Sequence, residues 1–302
     1  MNKLNESANR VSERGHARPV ALKNLERNLP LLSSSVSRLM TIPNGDPQYY
    51  ESVLDCVATD PGLAAELFKF ARSPLFRGLD DEVELSKCLT RVGATRFTTL
   101  VLASSVHTLL RVEQPVFVSL WKHSLWTGAL ARALAAQNKR FEVAPDWALC
   151  LGMLHNLGAF ALAKADPEYY ALALDRCATD SDALLVAERN RYGTTHPEVG
   201  AVMAERWCLP SSARTIITLH HSHDAVRAAG STDPLILIHL AAAVGDLMVA
   251  SADQAPVLLD AIQEALKSFE LRSTHEWDVA RVLRIARDCK TDVESYSQCL
   301  AA

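Results

Sequence analysis

From Leu25 onward the chain repeats one pattern: apolar residues three and four apart, in short blocks closed by proline, glycine or Asp-Pro. That spacing puts the apolar side chains on one face of a helix with 3.6 residues per turn. In "YYESVLDCVATDPGLAAELFKFARS" the apolar positions are Val53, Val57, Leu63, Leu67, Phe68 and Ala71. Asp60-Pro61 divides this stretch in two, with Asp60 as helix cap and Pro61 in the first turn of the next helix. "ELSKCLTRVGATRFTTLVLASSVHTLL" reads as two helices joined at Gly93. Downstream, "VSLWKHSLWTGALARALAAQ", "DWALCLGMLHNLGAFALA", "HPEVGAVMAERW", "SSARTIITLHHSH" and "PLILIHLAAAVGDLM" carry the same spacing. No stretch alternates with period two, and 12 glycines leave little room for sheet turns. The pattern predicts an all-α protein.

The same pattern gives the organisation. Residues 1–24 are polar and mixed in charge, and are expected to be a disordered lead-in. Residues 25–112 form a first helical subdomain. "RVEQP" (111–115) is a hinge, and 113–250 form a second subdomain. The helices of 251–302 are expected to pack against the second. The most apolar run, "LILIHLAAAVGDLMVA" (235–250), is shorter than the roughly 20 residues a membrane span needs and contains His239 and Asp246. It reads as a buried helix.

Composition narrows the classes. A net charge of −4 argues against a broad nucleic-acid footprint. Arg91 and Arg96 flank the turn in "RVGATRF", where the expectation is a packed two-helix corner with solvated arginines rather than a DNA-reading unit. The seven cysteines (56, 88, 150, 177, 208, 289, 299) include no CxxC pair, which argues against a disulfide framework and a cysteine zinc site. Cys150 and Cys208 read as core residues. The first residues lack the apolar segment of a signal peptide, so the expected compartment is the cytoplasm. Gly152 and Gly158 are isolated glycines that serve packing or capping, not a phosphate loop.

The chemistry is concentrated in histidines. His123 has Thr127 one turn later. His155 and Asn156 sit side by side in the apolar run "GMLHNLGAF". His196 opens a helix at "TTHPEVGA", where Thr195 and Glu198 suit a capping box. His220 and His221 end "RTIITLHH", with His223 beyond. Imidazoles are ligands for zinc, iron, manganese and nickel, and a metal-bound water can attack a phosphate ester. Singly, each is more often a hydrogen-bonded core residue than a ligand. Trp121 and Trp126 flank His123 and are expected beside the same pocket.

In order, these motifs resemble the HD superfamily of metal-dependent phosphohydrolases, and most closely its HDOD branch (HD-related output domain). "NLPLLSSSVSRLM", "VLDCVATDPGLAAELFKFARSPLF" and "LSKCLTRVGATRFTTLVLASSV" resemble the HDOD-specific helices. "LWKHSLWTGALARALA", "GMLHNLGAFAL", "HPEVGAVMAERWCLP" and "IITLHHSHD" follow in family order, over about residues 25–250. The resemblance implies two packed helical subdomains, HDOD-type helices followed by an HD-like bundle. It places a degenerate metal site at His123, His155, Asn156, His196, His220 and His221. In HD hydrolases the second motif is His-Asp, and here the aspartate is Asn156. A further aspartate is expected at a position that Ala242 occupies. Asp246 lies one turn on and would replace it only if the helix shifted. The implied function is a non-catalytic regulatory protein that binds a sensor kinase, a response regulator or a nucleotide-signalling enzyme, with no cofactor, nucleic acid or membrane. Two alternatives remain. One is a phosphohydrolase acting on a nucleotide or cyclic dinucleotide through a divalent transition metal held by the five histidines. The other is a sensor that binds metal or nucleotide without turnover.

Overall fold

A computed structural model of the chain describes residues 29–43, 45–76, 84–111, 113–138, 141–229, 233–270 and 277–301. The lead-in expected over 1–24 lies outside them. Among the described residues there is no strand. The N-terminal helices are α1 (Ser34–Thr41), α2 (Tyr49–Thr59), α3 (Pro61–Arg72), α4 (Leu85–Val92) and α5 (Ala94–Leu110), with a short 3-10 turn at Pro74–Phe76. Then come α6 (Pro115–Gln137), α7 (Pro145–Leu154), α8 (Leu157–Ala165), α9 (Pro167–Arg176), α10 (Ser181–Tyr192), α11 (His196–Arg206), α12 (Ser211–Leu219), α13 (His223–Ala228) and α14 (Pro234–Val249). The chain closes with α15 (Ala255–Glu270), α16 (Val279–Asp288) and α17 (Lys290–Ala301).

Local chemistry sets these boundaries. The side chains of Ser33, Asp60, Asp166, Asp180, Asp233 and Asp278 accept hydrogen bonds from first-turn backbone N–H groups, donors that no helical carbonyl reaches. Proline fills the first turn of α3, α6, α7, α9 and α14, where its missing N–H costs nothing. Gly93 turns between α4 and α5 at φ +85°, a conformation that penalises any Cβ.

One apolar core runs from Leu29 to Leu300, continuous across the 111–115 connection. Its axis is α6, flanked by α7 and α14; α8 lies against α11. Residues Pro145–Ala165 are long and apolar enough to cross a membrane by length and composition, but 89% of that window is buried inside the protein. Here the structure departs from the continuous helix suggested by "GMLHNLGAF": α7 stops at Leu154 and α8 starts at Leu157. His155 and Asn156 occupy the break.

Three close helix approaches place the site. A Cβ on Gly152 would lie 2.6 Å from the Cα of Gly128, so α7 and α6 touch backbone to backbone. A Cβ on Gly158 would lie 1.9 Å from the carbonyl oxygen of His196 and 2.6 Å from the nitrogen of Gly200, so α8 does the same to α11. A Cβ on Gly245 of α14 would meet Thr127 Oγ1 at 2.6 Å and His123 Nδ1 at 3.3 Å. The packing role expected of Gly152 and Gly158 is thus a role in bringing histidine-bearing helices together.

Two sequence expectations are corrected. Arg96 is not solvated: its Nε and Nη2 donate to Asp146 Oδ1 at 2.9 and 2.8 Å, and Arg132 Nε donates to the same oxygen at 2.9 Å. This joins α5 and α6 to the start of α7. Cys208 is not a core residue but exposed, with φ +53° in the turn after α11. Its neighbours Trp207 and Leu209 take the core positions.

Candidate histidine site

All six predicted site residues come together where α6, the α7–α8 break, the start of α11 and the end of α12 meet. His123, His155, His196 and His220 are buried, and Asn156 and His221 partly so. His123 Nε2 and His155 Nε2 are 3.0 Å apart. His196 Nε2 and His220 Nε2 are 3.3 Å apart. His220 Nε2 is also 3.1 Å from Asn156 Oδ1. Ligating atoms of His196, His220 and His221 all lie within 4.8 Å of one another. The His155 and His220 rings meet edge to face at 5.0 Å, linking the two pairs.

The opposite ring nitrogens fix the tautomers. His155 Nδ1 donates to the Gly152 carbonyl at 2.7 Å. His220 Nδ1 donates to the carbonyls of Ile216 and Ile217 at 3.2 and 3.1 Å. His196 Nδ1 donates to the Glu188 carboxylate at 2.8 Å, and His123 Nδ1 stands 2.9 Å from Asp246 Oδ1. His220 faces acceptors at both nitrogens, two carbonyls at Nδ1 and Asn156 Oδ1 at Nε2. Carbonyls and carboxylates only accept, so in neutral His123, His155 and His196 the proton is on Nδ1 and Nε2 presents a bare lone pair. The Thr127 hydroxyl does not relieve this, because it donates to the His123 carbonyl at 2.9 Å.

Each half of the cluster therefore has the same construction. One imidazole is backed by a carboxylate and one by a backbone carbonyl, and their Nε2 atoms face each other, both bare in the His123–His155 half. Two lone pairs at 3.0 Å repel. The contact becomes favourable when a positive charge lies between them, carried by a proton or by a cation. Burial and the neighbouring imidazoles push His155, His220 and His221 well below the ordinary histidine range, so these rings resist the proton. A divalent ion fits the residues present. Two imidazoles at about 2.0–2.1 Å from one zinc-like ion have their nitrogens roughly 3 Å apart. Ligating histidines characteristically hand their second nitrogen to a carboxylate or carbonyl. Glu188 and Asp246 also place two negative charges behind the imidazoles, and among the described residues neither pairs with a lysine or arginine.

The Asp246 contact corrects the sequence reading. Asp246 reaches His123 without any helix shift, but from behind, at Nδ1. It orients an imidazole and does not restore the missing carboxylate among the Nε2 atoms. Ala242 is partly buried and carries no donor atom. Trp121 is also corrected: its ring joins His107, Phe117 and Phe160 at 5.0–6.0 Å, away from the histidine pairs. The predicted capping box at His196 is present, with the Glu198 carboxylate accepting from the Thr195 N–H at 3.1 Å.

Sequence reasoning missed Glu188, Tyr170 and His239. Glu188 is fully buried, and its Oε1 accepts the Tyr170 hydroxyl at 2.7 Å. Burial, and then the Glu188 charge, pushes the Tyr170 phenol well above its ordinary range, so it stays protonated and donates. His239 Nδ1 donates to the His220 carbonyl at 3.3 Å. A signal for Glu188 was there: it follows Leu184 and precedes Tyr192 at intervals of four, on the buried stripe of α10. His223 stays outside the cluster, with an exposed side chain 3.9 Å from Asp182. An open cleft of about 530 Å³ reaches His221 from the surface between Arg189, Glu198, Thr218 and Ser222. Arg189 is committed there to a two-pronged pair with Glu198 at 2.8 and 2.6 Å.

The HDOD domain profile matches residues 29–223. A Treponema pallidum protein, itself uncharacterized, is 26% identical over 196 residues, which are 65% of this chain and 38% of that protein. The chain thus spans well under half of that relative's length. Among solved structures, a Shewanella amazonensis protein named as a candidate phosphohydrolase has a TM-score of 0.67 at 18% identity, covering 92% of this chain and 97% of its own. A Marinobacter aquaeolei protein named as a candidate signal-transduction protein has a TM-score of 0.64 at 20% identity, covering 98% of this chain and 65% of its own. At these identities the likeness is one of fold.

Proposed function

Because the chain belongs to the HDOD family, we propose that it is a non-catalytic signal-transduction protein whose histidine cluster holds a divalent transition-metal ion without hydrolysing a phosphate ester. Its output is contact with another signalling protein: a sensor kinase, a response regulator or a nucleotide-signalling enzyme. The observation that carries this reading is the position of the carboxylates. Glu188 and Asp246 both stand behind imidazoles, at Nδ1. The group placed with the Nε2 atoms is the Asn156 amide. Such a set has nitrogen donors for zinc, iron, manganese or nickel. It lacks a charged oxygen that could bridge two ions or take a proton from an attacking water. When bound, the ion would supply a positive charge shared by His123 and His155, or by His196, His220 and His221. The chain's own residues orient those rings and bury His123, His155, His196 and His220.

The test is metal content, by mass spectrometry, of protein purified without a histidine tag, together with assays on a nucleotide and cyclic-dinucleotide panel. The expected result is near-stoichiometric transition metal, reduced in His123→Ala, with no turnover of any substrate. Turnover by the wild type would replace this reading with the phosphohydrolase one. Metal-free, inactive, folded protein would remove the metal and leave a protein-binding module with a relic pocket.

A further inference from the structure

We infer that Glu188 is a positioning residue for this cluster: a buried carboxylate that holds His196 with Nε2 toward His220 and supplies the negative charge that a cation there requires. The inference rests on the metal-holding reading above. Glu188 lies on the core stripe of α10 with Leu184 and Tyr192, and is fully buried. Its oxygens accept from the His196 backbone N–H at 2.8 Å, from His196 Nδ1 at 2.8 and 3.0 Å, and from the Tyr170 hydroxyl at 2.7 Å. These donors satisfy its geometry. None carries a permanent charge, and hydrogen bonds from neutral groups offset only part of what it costs to take a carboxylate out of water.

A cation on the far nitrogen of His196 completes the balance, because the imidazole couples the two charges through its own ring. The carboxylate in turn makes Nε2 a stronger donor and fixes its direction. Asp246 behind His123 is the instructive contrast. Its side chain is 48% exposed, so water can solvate its charge. Glu188 has no such outlet. The Arg189 guanidinium acts on Glu188 only through space, and a buried carboxylate whose direct donors are all neutral favours a positive ion held nearby. Glu188 is also held by two elements, α9 through Tyr170 and the start of α11 through His196, so its position is set independently of the ring it orients.

The experiment is a titration of metal-free protein with cobalt(II), followed by visible absorption and by the thermal midpoint with and without cobalt, for the wild type and Glu188→Gln. Glutamine keeps the shape and one acceptor oxygen but loses the charge. The expected result is an affinity about ten- to a hundred-fold weaker and an altered cobalt spectrum, beyond the fall in the metal-free midpoint that losing one acceptor oxygen brings. A merely structural glutamate predicts a lowered metal-free midpoint with unchanged affinity, and that outcome overturns the inference alone. A wild type that takes up no cobalt overturns both the inference and the metal-holding reading. Should Glu188→Gln fail to fold, Glu188→Asp carries the test, since it keeps the charge one methylene farther from His196. Weaker cobalt binding by that variant supports the inference, and wild-type affinity overturns it.

Discussion

Gly158→Ala is expected to be among the most damaging single substitutions in the chain, although it removes no atom from the site. The new Cβ would stand 1.9 Å from the His196 carbonyl oxygen and 2.6 Å from the Gly200 nitrogen. Both are backbone atoms of α11, so no rotamer change relieves the clash. Helices α8 and α11 must separate, which carries Asn156 at the start of one away from His196 at the start of the other. Overpacking a tight interior costs typically about 1–3 kcal/mol, and a clash with backbone belongs at or above the top of that range. Gly62→Ala is a milder comparison: in the first turn of α3 its Cβ meets one side-chain atom, the capping Asp60 Oδ1 at 3.1 Å, and no backbone. Urea unfolding of both variants checks this. A Gly158→Ala protein with the wild-type midpoint would mean that the two helices are not in backbone contact.

This approach shows what the sequence could and could not convey. The helices were legible because each carries its own punctuation: Asp60-Pro61, Asp166-Pro167 and Asp233-Pro234 each combine a capping side chain with a proline start. That the six candidate residues converge was legible because motif order survives in the chain even where Asn156 stands in place of an aspartate. Asp246 was misjudged because register was reasoned along one helix. Whether a carboxylate reaches the front or the back of an imidazole depends on how α14 crosses α6, and that crossing is set by Gly245 against Thr127. Glu188 was missed because a glutamate in "LLVAERNRY" resembles a solvated charge until its apolar neighbours at intervals of four are counted. Trp121 shows the converse limit. Two residues from His123, it turns toward Phe117 and Phe160, since neighbours two apart on a helix point in different directions.

In metal-free protein, stability is expected to fall as pH drops from 7.5 to 5.5, well above the range in which carboxylates titrate. The folded-state affinity of His155 and His220 for protons is depressed, chiefly by burial, while in the unfolded chain they titrate near about 6.5. Below that pH the unfolded state binds protons that the native state refuses, so unfolding becomes more favourable as pH falls. The slope for a histidine that stays neutral when folded is at most about 1.4 kcal/mol per pH unit below its unfolded value. The two fully buried rings and partly buried His221 act in the same direction. Urea unfolding in EDTA across this range, on the wild type and on a His155→Gln/His220→Gln double variant, measures the effect as a difference that should shrink in the variant. A flat wild-type profile would show the native cluster taking up protons as readily as the unfolded chain. The positive charge between the facing nitrogens would then be a proton anchored by Asp246 and Glu188, and the case for a metal would lose its physical basis. A steep profile leaves the nitrogens bare at neutral pH, and bare nitrogens facing each other at 3.0 Å are what a divalent ion would stabilise, by an amount that grows with the logarithm of its concentration over its dissociation constant.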